Sequence, residues 1–66
     1  MEAELHKGYL IWGHAIRQGT GYAASGTIMR NNKLVETSGV LGNFETETDA
    51  ERVGLNWCRA WIDNHG

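Results

Sequence analysis

Sixty-six residues weighing 7.3 kDa make one domain, because a chain this short has no material for a second core. Hydrophobic residues are 41% of the chain and charged residues 21%, too apolar a mixture for a disordered tail, and no apolar run approaches the roughly 18–20 residues of a membrane span. Six basic residues against eight acidic ones, a net charge of −2, argue against a broad electrostatic grip on nucleic acid or anionic lipid.

The start Met1-Glu2-Ala3-Glu4-Leu5 lacks the basic-then-apolar layout of a signal peptide, and Cys58 is the only cysteine. Both features fit a reducing, cytoplasmic setting without disulfides. His6, His14 and His65 are scattered, with no cysteine or histidine neighbour at ligand spacing, so neither a metal nor a cofactor is expected.

In chain order, Tyr9–Arg17 (YLIWGHAIR) reads as a strand rich in aromatic and β-branched residues, closed by a turn at Gly19 and Gly21. Tyr22–Arg30 (YAASGTIMR) reads as a second strand. Asn31-Asn32 tolerates positive φ at both positions and suits a two-residue hairpin turn. Lys33–Phe44 reads as a third strand, with Gly39 and Gly42 pointing to a bulge or bend. Beyond Phe44 the period changes. Thr48 and Glu51 match a capping box, with Thr46 and Asp49 as a second possible box. Ala50, Val53, Gly54, Trp57 and Trp61 then recur on one face of a helix over about 48–63, fraying toward Asn64-His65-Gly66.

The expected fold is α+β: a single domain, 1–66, with a three-stranded antiparallel sheet (9–17, 22–30, 33–44) packed on one face by a single C-terminal helix, βββα. The expected core is Ala50, Val53, Trp57 and Trp61 of the helix with Phe44. The preferred register places Gly13, Ala15, Ala24 and Gly26 under the helix, as a floor of small residues for its tryptophans. Trp12, Ile16 and Met29 then lie on the uncovered face, with His14, Ser25 and Thr27 among them. A one-residue slip reverses the assignment and puts Ile11 and Ile28 outside. One helix cannot cover both faces of such a sheet, and an open apolar face usually marks a partner.

Candidate chemistry is sparse. His14 has no nucleophile or orienting carboxylate at recognisable spacing and reads as a surface histidine. Cys58, beside Arg59, flanks the helix stripe and reads as a small core filler. Glu45, Glu47, Asp49 and Glu51 lack a calcium-loop pattern and are accounted for by helix capping. The segment QGTGY carries two glycines without the remainder of a phosphate-binding loop.

Phe44 and Thr46, leading into a helix that ends in Trp61-Ile62-Asp63, resemble a pattern of small stand-alone bacterial proteins of unknown function; that resemblance implies a fold and no activity. The layout is similar to the N-terminal domain of HicB-type antitoxins, which implies toxin binding or self-association. Leu41-Gly42-Asn43-Phe44-Glu45-Thr46 is also similar to the helix entry of ethylene-response-factor and integrase-type DNA-binding domains, whose three-stranded sheet reads DNA. Those sheets carry several arginines on the reading face, whereas here Arg17, Arg30 and Lys7 or Lys33 stand at strand margins.

The resulting expectation is a non-catalytic binding or regulatory module working through protein contact, with itself or another chain, on the open sheet face or edge. Trp12, His14, Ile16 and Met29 are its candidate contact residues. The alternative is a nucleic-acid-binding sheet using Trp12, Arg17 and Arg30. No combination of acid, base and nucleophile suggests an enzyme.

Overall fold

The computed structural model describes residues 3–65. It comprises β1 (Glu4–His6), β2 (Tyr9–Gln18), β3 (Gly21–Arg30), β4 (Lys33–Thr37), β5 (Gly42–Phe44) and the helix α1 (Glu47–His65). All strand pairs are antiparallel, in the order β1-β2-β3-β4, with β5 also paired to β3. The sheet thus has five strands, two more than expected. A short strand precedes Tyr9, and the expected third strand is interrupted between Thr37 and Gly42.

Turn chemistry accounts for the hairpins. Asn31 and Asn32 both adopt positive φ (54° and 63°) between the paired Arg30 and Lys33, the two-residue geometry that matches strand twist. Lys7 and Gly8 do the same (51° and 87°) between His6 and Tyr9. In the third turn only Gly19 has positive φ, the pattern of a II′ turn. The break between β4 and β5 follows from Gly39, at φ 70°. Its ends stay tied to β3, because the Ser38 amide donates to the Gly26 carbonyl at 3.0 Å and the Leu41 amide to that of Ala24 at 2.8 Å.

The helix begins one residue earlier than expected, at Glu47, and its cap two residues earlier. The Thr46 hydroxyl accepts the Asp49 amide at 3.1 Å, so Thr46 caps the helix and Thr48 lies inside its first turn. The Thr48–Glu51 pair is therefore not the cap, and of the Thr46–Asp49 pair the Thr46 hydroxyl does the capping while the Asp49 carboxylate pairs with Arg52. At the other end, Nδ1–H of His65 donates to the Trp61 carbonyl at 2.8 Å and the two rings stack at 4.2 Å. That contact satisfies a terminal carbonyl and carries the helix through His65.

Helix and sheet meet along glycine. Gly13 and Gly26 are directly paired neighbours on β2 and β3, and Gly54 rests on them. A Cβ on Gly13 would collide with the Glu51 carbonyl oxygen, one on Gly54 would lie 2.9 Å from the Gly13 Cα, and one on Gly26 would lie 2.7 Å from the Gly54 carbonyl oxygen. The buried helix row is accordingly Ala50, Gly54, Cys58 and Ile62, set against Ile11, Ile28 and Ala24. The expected floor of Gly13, Ala15, Ala24 and Gly26 does face the helix, and at Gly26 it takes both the helix backbone and the edge of the Trp57 ring, whose Cε3 a Cβ there would meet at 3.0 Å. Of the expected core residues Ala50 is fully buried, whereas Val53, Trp57, Trp61 and Phe44 are half-buried. Backbones this close leave no room between them for large rings, and Trp57 and Trp61 pack along the flanks of the core. Cys58 is the small filler expected: its Sγ–H lies 3.5 Å from the Thr27 carbonyl oxygen and 3.6 Å from that of Trp12, and burial pushes the thiol pKa up.

Gly54→Ala should therefore destabilise the fold by about 3 kcal/mol or more in urea unfolding, at the top of the range for overpacking. Gly39→Ala, which meets no neighbour within 4 Å, should cost only the roughly 1–2 kcal/mol of a left-handed residue. Equal losses at the two positions would refute the close approach as the controlling contact.

Candidate functional site

Alternation sends Tyr9, Ile11, Gly13, Ala15 and Arg17 of β2 to the helix side and the intervening residues to the opposite face. Register aligns the latter across the sheet: Leu5 pairs with Leu10, Leu10 with Met29, and Met29 with Leu34. An apolar row thus crosses four strands on the face that α1 leaves open. Leu5 is 71% exposed, Leu34 62% and Leu10 41%. Trp12, half-buried, stands one step along β2 opposite Thr27. Further along, His14 Nε2 and Thr27 Oγ1 share a hydrogen bond of 2.9 Å. Ile16, 49% exposed, ends the apolar positions. By strand pairing, no Asp, Glu, Lys or Arg of β1–β5 lies on this face; His14 is its one titratable group among the described residues.

The charges lie on the helix side, where two of them fasten β1. Arg59 of α1 donates from Nε to Glu4 Oε2 at 2.8 Å and from a second nitrogen to Oε1 at 2.5 Å, a bidentate arrangement. Asp63 accepts from Lys7 Nζ at 2.8 Å and lies 3.1 Å from His6 Nε2. The guanidinium holds the Glu4 carboxyl below its ordinary pKa, and Lys7, then His6, do the same for Asp63. With Glu4 and His6 turned to the helix, Leu5 between them must turn to the open face. The clasp therefore sets the first member of the apolar row.

Trp12, His14, Ile16 and Met29 all lie on the open face, as in the preferred of the two registers. Arg17 and Arg30 do not join them: both have helix-side parity, and the Arg30 guanidinium sits over the Tyr9 ring at 4.9 Å with a 3.3 Å hydrogen bond to its hydroxyl. The surface grouping of Trp12, Arg17 and Arg30 is thus split between opposite faces. Leu5, Leu10 and Leu34 were not among the candidates; two of them sit on strand segments whose pairing periodicity alone does not reveal. Elsewhere, an open hollow of about 460 Å³ is lined by Gln18, Thr20, Asn43, Glu45 and neighbouring glycines, with one carboxylate and no base. Among the described residues no three His, Cys, Asp or Glu converge as a metal site, and no helix is long and apolar enough to cross a membrane.

The family model described as "Domain of unknown function (DUF6566)" matches residues 1–66. The chain belongs to this family. No curated protein and no solved structure matches it. The comparisons show no relation to HicB-type antitoxins or to ethylene-response-factor domains, and the five-stranded sheet departs from the three-stranded plan of the latter.

In this DUF6566 chain the β1 clasp rests on two carboxylates with lowered pKa. Its contribution is present above the ordinary carboxylate range and is lost as pH falls through the folded-state values. Acidification should release β1 before the core melts, seen by NMR as loss of the Glu4–Ile11 pairing while β2–β3 amides stay protected. Glu4→Gln should weaken the same pairing at neutral pH. Persistence of that pairing with both carboxyls protonated would contradict the clasp.

Proposed function

We propose that this chain is a non-catalytic binding module that works through protein contact on its open sheet face. The observation that carries the reading is the uncharged apolar row Leu5–Leu10–Met29–Leu34, continued by Trp12 and reaching across four strands. Exposed apolar side chains in isolation are ordinary; four aligned by register form a contiguous patch of the kind that marks an interaction surface. Trp12 is the anchor, because an aromatic with a large apolar area and limited rotamer freedom gives the most contact energy per residue. His14, Ile16 and Met29 extend the contact. The His14–Thr27 pair, with no carboxylate bonded to the ring among the described residues, orients a polar spot on the face and has no acid–base partner for catalysis.

Site-specific photocrosslinking in cells tests this reading. A photoreactive phenylalanine analogue at Trp12 or Leu34 should give discrete protein adducts, and the same group at Arg52 or Asn56 on the exposed side of α1 should give none. Adducts independent of position, or none from the open face, would overturn it. In filter binding at low salt, duplex and single-stranded DNA should both fail to bind. Affinity that falls steeply with added salt would instead establish a nucleic-acid partner.

A further inference from the structure

We infer that the occupant of the open sheet face is a second copy of this chain, packed face to face about a two-fold axis. The inference rests on the reading of that face as a docking surface and adds the identity of its partner.

Charge is the first argument. Each copy carries a net charge of −2, yet the strand residues with formal charge, Glu4, Arg17, Arg30, Lys33 and Glu36, have helix-side parity by their pairing. Apart from His14, the open face offers no titratable group of the strands for an acidic or basic partner to complement. What fits it without leaving a charge unpaired is another uncharged, apolar sheet face, and this chain carries one. Two copies meeting there keep their like charges on the outer sides of the pair.

Symmetry is the second. An isologous contact uses the same patch twice. A two-fold axis in the plane of the interface sets the row Leu5–Leu10–Met29–Leu34 against the same row of the partner, with both Trp12 side chains beside it. Sheets packed in this way keep their strands within about 30° of alignment and about 10 Å apart. The third argument is area. The molecule measures 35 × 21 × 16 Å and exposes 4329 Å². One broad side of such a slab is about a fifth of its surface, about 870 Å², close to the roughly 800 Å² that each partner contributes to an interface of standard size.

Sedimentation velocity of the full chain tests this over about 1 μM to about 1 mM, the range where weak and moderate dimers dissociate. A monomer–dimer equilibrium is expected. Leu10→Lys and Leu34→Lys, on exposed positions that leave the core intact, should each weaken it at least about tenfold by placing like charges together, whereas Asn56→Lys on the outer side of α1 should leave it unchanged. Circular dichroism and thermal melting check that each variant folds. In a mixture of isotope-labelled and unlabelled wild-type chain, filtered NOEs should connect the Leu10 and Met29 methyl groups across the dimer. A monomer at every concentration overturns the inference; if photocrosslinks from Trp12 then reach a different protein, the docking face stands and only its occupant changes. A dimer indifferent to both lysines, or one with NOEs confined to the β1 or β4 edge, overturns the face-to-face pairing as well.

Discussion

The architecture depends on one steric constraint, the contact of a helix backbone with a sheet backbone at Gly13, Gly26 and Gly54. Because those three positions carry no Cβ, α1 settles closer to β2 and β3 than side chains would allow. The close approach selects the buried row Ala50, Gly54, Cys58 and Ile62, and it leaves Trp57 and Trp61 half-buried beside that row, with the Trp57 ring edge against Gly26. The tryptophans instead line the sides of the helix, where they shield a core too thin to be closed by small residues alone. A chain of this size has little apolar area to spare, and dense backbone packing with aromatic flanks is an economical way to exclude water.

The same constraint produces the asymmetry from which the proposed function follows. Since one short helix is centred on two strands, the periphery must be held by other means. β1 is fastened by Glu4–Arg59 and by Asp63 with Lys7 and His6. β4 and β5 are fastened by backbone and Ser38 hydrogen bonds to β3. Among the described residues the side-chain ion pairs lie on the helix side or along α1 itself, away from the opposite face. Alternation then places leucines, a tryptophan, an isoleucine, a methionine, an alanine, His14 and hydroxyl or amide side chains there. An open face that is both apolar and uncharged is thus a consequence of how the edges are secured.

Much of this was legible in the residues. Asn31-Asn32 announced its turn because two adjacent asparagines accept positive φ. The helix declared itself through its apolar period. Alternation divided the strand residues into two sets without choosing the buried one. The preferred register, with Gly13, Ala15, Ala24 and Gly26 beneath the helix and Trp12, Ile16 and Met29 opposite, is the one the structure has. The failures have physical causes. Glu4-Leu5-His6 is too short to show a period, and its stabilising partner Arg59 is 55 positions away from Glu4 in sequence. Thr46 and Thr48 each stand three residues before an acidic side chain, so only the Asp49 amide geometry separates them. The row across four strands needs the register of every pair, and the irregularity near Ile28 and Met29 shifts β4 by a residue that no pattern within Lys33–Phe44 discloses. Arg17 and Arg30 were grouped by position at strand ends, but their parity sets them on the face opposite Trp12.

The monomer is already closed. Its surface of 4329 Å² is near the roughly 4,200 Å² of a compact chain of this mass, and among the described residues no buried side-chain nitrogen or oxygen lacks a partner. Association on the open face would therefore add to a finished fold rather than complete one, which makes it reversible and dependent on concentration. The composition of the face suits that condition. A wholly apolar sheet would aggregate when bare, whereas His14, Ser25, Thr27 and Thr37 interleave with the apolar positions and keep the free form hydrated. The hydroxyls of Ser25, Thr27 and Thr37 carry no charge, so covering them costs far less than covering ions. A surface that must meet water in one state and protein in another is well served by this mixture of leucine, tryptophan and hydroxyl.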